Sequence, residues 1–195
     1  MTTETRKYEK KRRAELEAET RRRITETAVE LHGTVGPART SISAIAERAG
    51  VRRSTVYRHF PDEESLFDAC SSHWAEANPL PDMEAWAAIE DPDERLRTAL
   101  TELYGFYRGT ERMMENLLRD EATVPLVADR FATYHGYIAA ARDILMQGHA
   151  ERGRGRDEAR AAIGHALAFH TWQSLTRDQG LDDKRAVALM ARLAA

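Results

Sequence analysis

Apolar residues recur at intervals of three and four along nearly the whole chain, and nowhere do they alternate with polar residues for the length of a strand. This periodicity belongs to amphipathic helices, so the chain is expected to be all-α. Gly and Pro divide it into segments. A first helix ends near His32 with Ile24, Ala28 and Leu31 on its buried stripe. Two short helices are split at Ala49-Gly50-Val51, and a fourth begins after Pro61 with Leu66, Phe67, Cys70 and Trp74 on one face. Beyond Pro79 and Pro81, Trp86 and Ile89 sit in a connecting segment. Helices are then expected after Pro92, after Gly109, from about Val124, from about Asp157 to Asp178, and from Asp182, about nine in all. Arg152-Gly-Arg-Gly-Arg156 reads as a polar linker, since two glycines and three like charges disfavour order.

Composition narrows the classes. Hydrophobic residues make up 42% of the chain, enough for a real core. No apolar run approaches the ~20 residues needed to span a bilayer, and no short apolar leader follows the N-terminus, so a cytoplasmic location is expected. The single cysteine, Cys70, rules out an intrachain disulfide and is expected to pack as a small hydrophobe. The net charge of −3 says little, but its distribution does: residues 1–60 hold 14 Lys/Arg against 8 Asp/Glu, and the remainder 15 against 24. A basic head and an acidic body suit a protein whose head meets phosphates. From Arg6 to Arg23 almost every residue is charged, which reads as a solvated helical extension or a mobile arm.

The segment from Thr40 to Phe60 is the most informative. Ile42, Ile45 and Ala46 point one face of a short helix inward, and Thr40 or Ser41 can cap its start. Gly50 supplies the left-handed backbone that ends the helix, and Val51 plugs the angle. Arg52 to His59 form a second helix anchored by Val56 and Phe60. This is the spacing of a helix-turn-helix, whose second helix enters the major groove of DNA. Its outer face is Arg52, Arg53, Ser54, Thr55, Tyr57, Arg58 and His59, with no acidic residue. Arg52 and Arg53 stand where base edges are reached, and an arginine bidentate to guanine discriminates by roughly 1–3 kcal/mol. Ser54 and Thr55 suit a base or a phosphate. Tyr57, Arg58 and His59 suit phosphate oxygens, which set register. Two ordinary amphipathic helices would account for Ile45 and Val56 but not for that outer face.

Ile45-Ala-Glu-Arg-Ala-Gly-Val51, Ser54-Thr-Val-Tyr57 and His59-Phe-Pro61 before Leu66 resemble the DNA-binding domain of TetR-family transcriptional regulators. The resemblance implies a three-helix DNA-binding domain (1–61, with a basic arm over about 1–20) and a helical ligand-binding and dimerisation domain (62–195). It also implies a homodimer, a palindromic operator in double-stranded DNA, and a ligand that switches DNA affinity. Arg52, Arg53, Thr55, Tyr57 and His59 take the family's contact positions, and Thr40 matches a phosphate-contacting one, with Ser41 beside it. Two departures stand out: Glu63 replaces a frequent Lys at the start of the fourth helix, and Ser54 a frequent Gly.

The body says less. Tyr104, Tyr107, Met113, Met114, Leu117, Phe131, Tyr134, His135, Phe169 and Trp172 have the residue types of an apolar pocket for a small apolar or aromatic effector. The plainer reading is that such stripes are core. Ala162, Ala166, Phe169, Gln173, Ala186, Leu189 and Leu193 on the last helices suit a twofold four-helix interface, or cover the protomer's own core. His165 and His170 are five apart, off the i,i+4 spacing of helix-borne metal ligands, and no nucleophile elbow, phosphate loop or carboxylate pair appears. Neither a metal, nor a cofactor, nor catalysis is expected. The reading is a ligand-responsive repressor; an activator, or a regulator controlled by a protein partner, is the alternative.

Overall fold

Strong helix formers (Lys, Arg, Glu, Ala) fill most of the first twenty-three residues, and the computed structural model, which describes residues 3–148 and 153–194, makes them one helix, α1, over Thr3–Thr34. Lys11–Glu15, Arg13–Glu17 and Arg22–Glu26 pair at i,i+4 on its exposed surface, each such pair adding a few tenths of a kcal/mol. The charged stretch is therefore a helical extension. At the ~1.5 Å rise of an α-helix, α1 is about 48 Å long, and only its C-terminal half carries buried residues such as Ile24 and Ala28.

After a short 3-10 turn at Pro37–Arg39 come α2 (Ile42–Arg48), α3 (Arg53–His59), α4 (Glu63–Ala77), α5 (Met83–Ala87), α6 (Pro92–Asp120), α7 (Pro125–Leu145), α8 (Arg154–Ala166), α9 (Phe169–Gln173) and α10 (Asp183–Ala194). A π-helical turn, Ser174–Asp178, follows α9. No strand occurs among the described residues.

Three boundaries differ from the expected ones. Gly109 does not split α6, which is continuous from Pro92 to Asp120. A glycine inside a helix costs only about 1 kcal/mol relative to Ala, and buried neighbours such as Tyr107, Thr110 and Met113 hold the register. The segment expected as one helix over 157–178 breaks at Leu167-Ala168, between α8 and α9. Of the expected linker, Arg154, Gly155 and Arg156 are helical, with Arg154 bonded to Glu158 at 2.7 Å; Arg152 lies outside the described residues.

The chain divides into two compact units. The first runs to Ala77 and takes in Glu115–Ala128; the second comprises Asn78–Met114 and the chain from Asp129 onward. The boundary expected after residue 61 thus falls after Ala77, because Leu66, Phe67 and Cys70 of α4 complete the core made by Ile24, Ala28, Ile42, Ile45, Ala46, Ala49, Val56 and Phe60. Cys70 is buried there, and burial pushes its thiol up to about 12. The last turns of α6 belong to the same unit: Asn116 donates to the His32 carbonyl at 2.9 Å, and Asp120 accepts the Ala38 N–H at 3.0 Å. Gly36, with φ +93°, is packed so closely that a β-carbon would lie 2.0 Å from the Arg119 guanidinium.

The second unit is built around aromatic rings. Tyr104 and Tyr107 of α6 are fully buried, and their hydroxyls donate to the carbonyls of Ala166 (2.9 Å) and Leu167 (2.7 Å) at the break after α8. Arg95 is buried and has no carboxylate partner among the described residues. It donates to the carbonyls of Ile89 (2.6 and 2.9 Å), Glu90 (3.2 Å) and Gln147 (2.6 Å).

Candidate nucleic-acid interface

Ser41 settles the choice of cap: its side chain accepts the Ala44 N–H at 3.1 Å, which fixes the start of α2. Helix α2 ends at Ala49, and Gly50 turns the chain with φ +65°, as its left-handed role requires. The Val51 N–H closes the turn onto the Ala46 carbonyl at 2.9 Å. Arg52 is the N-cap residue of α3, and Val56 and Phe60, both almost fully buried, anchor that helix on the core. Seven residues are too few for an independently stable helix, so tertiary anchoring decides how α3 is oriented.

The face that remains outside carries the expected set. Arg52, Arg53, Ser54, Tyr57 and Arg58 are exposed, and Thr55 and His59 are half-buried. Arg53 is not extended into solvent: it donates to the Tyr57 hydroxyl at 3.2 Å, and its guanidinium lies 5.5 Å from that ring's centroid. Arg52 and Arg58 make no hydrogen bond or ion pair among the described residues and stand ready for an anionic partner. Nε2 of His59 is buried without a hydrogen-bond partner, so a phosphate would have to be met through Nδ1. Burial and the cations of Arg58 and Arg21 hold the imidazole pKa below its ordinary value, leaving it neutral near pH 7. Both donors of Thr40 point into its own loop, the hydroxyl to Gly36 (2.8 Å) and the N–H to Pro37 (3.0 Å). Ser41, whose hydroxyl accepts from Ala44 and keeps its hydrogen, is the better phosphate donor of the pair.

One residue that the sequence pattern does not single out belongs to this surface. Arg21 of α1 donates to the His59 carbonyl, and its guanidinium stacks 4.0 Å from the centroid of Phe60. Thirty-eight positions separate the partners, so periodicity carried no trace of the contact.

The residues expected to line a pocket lie mostly in the second unit, packed on one another. Tyr107 meets Phe169 at 5.4 Å, Trp172 at 5.9 Å and Tyr104 at 6.4 Å between centroids. Its hydroxyl pairs with that of Tyr134 at 2.8 Å, and Phe131 stacks on Tyr134 and meets His135 edge-on. Met113 and Met114 are buried, whereas Leu117 packs against the core of the first unit. Of the residues expected at a twofold interface, Ala166, Phe169 and Ala186 are buried within the protomer. Ala162, Gln173 and Leu189 are half-buried, and Leu193 is 62% exposed. Among the described residues no three His, Cys, Asp or Glu side chains gather as metal ligands, and no helix is long and apolar enough to cross a membrane.

Residues 24–70 match the family described as bacterial regulatory proteins, tetR family. No curated protein sequence matches the chain. Solved structures do share the fold. A TetR-like transcriptional regulator from Rhodococcus superposes with a TM-score of 0.64 at 20% identity, over 90% of this chain and 93% of the other. AibR in complex with isovaleryl coenzyme A and operator DNA gives 0.61 at 21%, over 88% and 96%. FadR from Bacillus subtilis in complex with stearoyl-CoA gives 0.57 at 21%, also over 88% and 96%.

Proposed function

We propose, for a chain whose N-terminal domain belongs to the tetR family of bacterial regulatory proteins, that it is a homodimeric, ligand-responsive transcriptional repressor, acting in the cytoplasm and not as an enzyme. The observation that carries the DNA reading is the outer face of α3, where exposed Arg52, Arg53, Ser54, Tyr57 and Arg58 stand on a helix fixed from behind by Val56 and Phe60. Arg52 and Arg53 read base edges. Tyr57, Arg58 and Ser41 hold phosphates and set the register. Two copies of this helix, about one turn of DNA (~34–36 Å) apart, meet the halves of a palindrome. Partly exposed residues of the last helices, Ala162 of α8, Gln173 of α9 and Leu189 and Leu193 of α10, support a twofold helical interface.

Structural neighbours bound to isovaleryl coenzyme A and stearoyl-CoA support an effector with an apolar tail. The ring cluster around Tyr107 is where such a tail finds apolar walls and a few hydroxyls. Because those rings pack on one another, the effector binds a rearranged body, and it lowers DNA affinity to the extent that it prefers that state. The close packing of the same rings is the observation that favours a second reading, control by a protein partner. The helical arm adds phosphate contacts through Lys7, Lys10, Lys11, Arg12 and Arg13 and offsets the acid at Glu63.

Selection of bound fragments from random duplex DNA tests the reading directly. A palindromic consensus is expected, and Arg52→Ala and Tyr57→Ala should each weaken its binding while leaving the melting temperature in place; wild-type affinity in both refutes the assignment of α3. Deleting residues 1–13 should lower the salt slope of binding, and an unchanged slope removes the arm from the interface. A thermal-shift screen of acyl-CoA esters and aromatic acids separates a small effector from a protein partner, since a ligand of the native state raises its stability.

A further inference from the structure

We propose that Arg21 is a positioning residue for the recognition helix: from α1 it holds the carbonyl end of α3 and so sets the angle at which Arg52 to Tyr57 meet DNA. This rests on the DNA-binding reading above. Helix α3 has seven residues and no side-chain hydrogen bond at its N-cap. Its last carbonyls have no partner within the helix, as at every helix end. The one on His59 is taken by Arg21. The same guanidinium lies over the ring of Phe60, the C-cap residue, 4.0 Å from its centroid, and that ring is itself almost fully buried. One cation therefore grips both the final helical residue and the cap.

The chemistry suits arginine in particular. A positive charge at a helix C-terminus is stabilising, and a planar guanidinium can donate in its plane while its face lies on a ring, which an ammonium cannot do. Arg21 is also well mounted. It stands about one turn before Ile24 and two before Ala28, both fully buried, so its backbone belongs to the half of α1 that is packed on the core. Val56 and Phe60 fix the rotation of α3 about its own axis. The Arg21 clamp fixes its tilt, the freedom that two anchors on one helix face leave open. A base-reading constellation tolerates only about 0.5 Å of misplacement.

The test uses full-length Arg21→Ala, Arg21→Lys and Phe60→Leu proteins, the selected operator, and an unrelated duplex of equal length. With that hold on the helix end gone, Arg21→Ala should weaken operator binding about fivefold, ~1 kcal/mol. Binding to the unrelated duplex and the salt slope should stay at wild-type values, because no phosphate contact is lost. Amide exchange should quicken at 56–60 and stay unchanged at 24–28. Arg21→Lys should recover part of the loss, since it keeps the donor without the stack, and Phe60→Leu should show the converse defect. Unchanged operator affinity overturns the proposal. So does a salt slope lower by about one with equal loss on both duplexes, which marks Arg21 as a phosphate contact. Loss of exchange protection throughout the first unit also overturns it, by making Arg21 a general stabiliser. If the wild-type protein selects no operator, it is the DNA-binding reading that fails, and the two failures are told apart.

Discussion

The recognition surface of the first unit and the ring cluster of the second are built at different ranges along the chain. In the first, the defining bonds are local: Ser41 caps α2 three residues on, Val51 closes the turn onto Ala46, and Arg53 reaches Tyr57 one turn away. Distant groups such as Arg21 then hold the finished helix at its end. In the second, most of the defining bonds are remote. The Tyr107 hydroxyl meets Tyr134 and the Leu167 carbonyl, 27 and 60 positions away, and Arg95 reaches Gln147 across 52. Local bonds on a surface can be replaced by water when they break. Buried bonds between remote segments cannot, so their loss costs the full desolvation of the group left behind. The second unit should therefore be the more fragile to single polar substitutions.

The largest effect is expected at Arg95. Arg95→Met removes the buried donor that holds the carbonyls of Ile89, Glu90 and Gln147 and should cost about 4 kcal/mol in urea unfolding. A loss under about 1 kcal/mol would break the comparison. The next is the first unit's own buried exception, His32, which lies against Cys70 and Phe67. Burial lowers its pKa from 6.5 to about 4, against a smaller opposing pull from Asp120. Below pH 6.5 the unfolded chain takes up a proton that the folded chain refuses, so stability falls with pH until about 4. That loss amounts to about 3 kcal/mol, and the difference in pH dependence between wild type and His32→Leu measures it. Equal curves would remove His32 from the core account.

Smaller effects sharpen the contrast. Tyr107→Phe keeps the ring contacts and removes only the hydroxyl, stranding the Leu167 carbonyl; about 1.5 kcal/mol should be lost, with amide exchange rising around the α8–α9 break. Ser41→Ala removes a local, exposed cap and should cost about 1 kcal/mol, read as faster exchange confined to the start of α2. If Ser41→Ala proves the costlier of the two, range along the chain is not what governs sensitivity.

Legibility followed the same division. The turn at Gly50, the anchors Val56 and Phe60 and the outer face of α3 were all readable, because each depends on residues a few positions apart. The continuity of α6 through Gly109 was not, since the penalty of one glycine is settled by what packs around it. The break at Leu167-Ala168 was missed for a similar reason: the carbonyls it frees are answered by Tyr104 and Tyr107, whose positions no helical period relates to it. Of the rings expected near an effector, the structure brings Tyr104, Tyr107, Phe131, Tyr134, His135, Phe169 and Trp172 into one network, and sets Leu117 in the other unit.

The amino-acid sequence by itself determined an all-helical chain with a helix-turn-helix between Thr40 and Phe60, because hydrophobic period, caps and turn glycines act over single turns of helix. Tertiary structure alone decided that α4 and the end of α6 belong to the first unit, that Arg21 grips the end of α3, and that Arg95 is caged by carbonyls. Those outcomes turn on which buried polar groups find partners across tens of residues, and that pairing is fixed only when the segments pack.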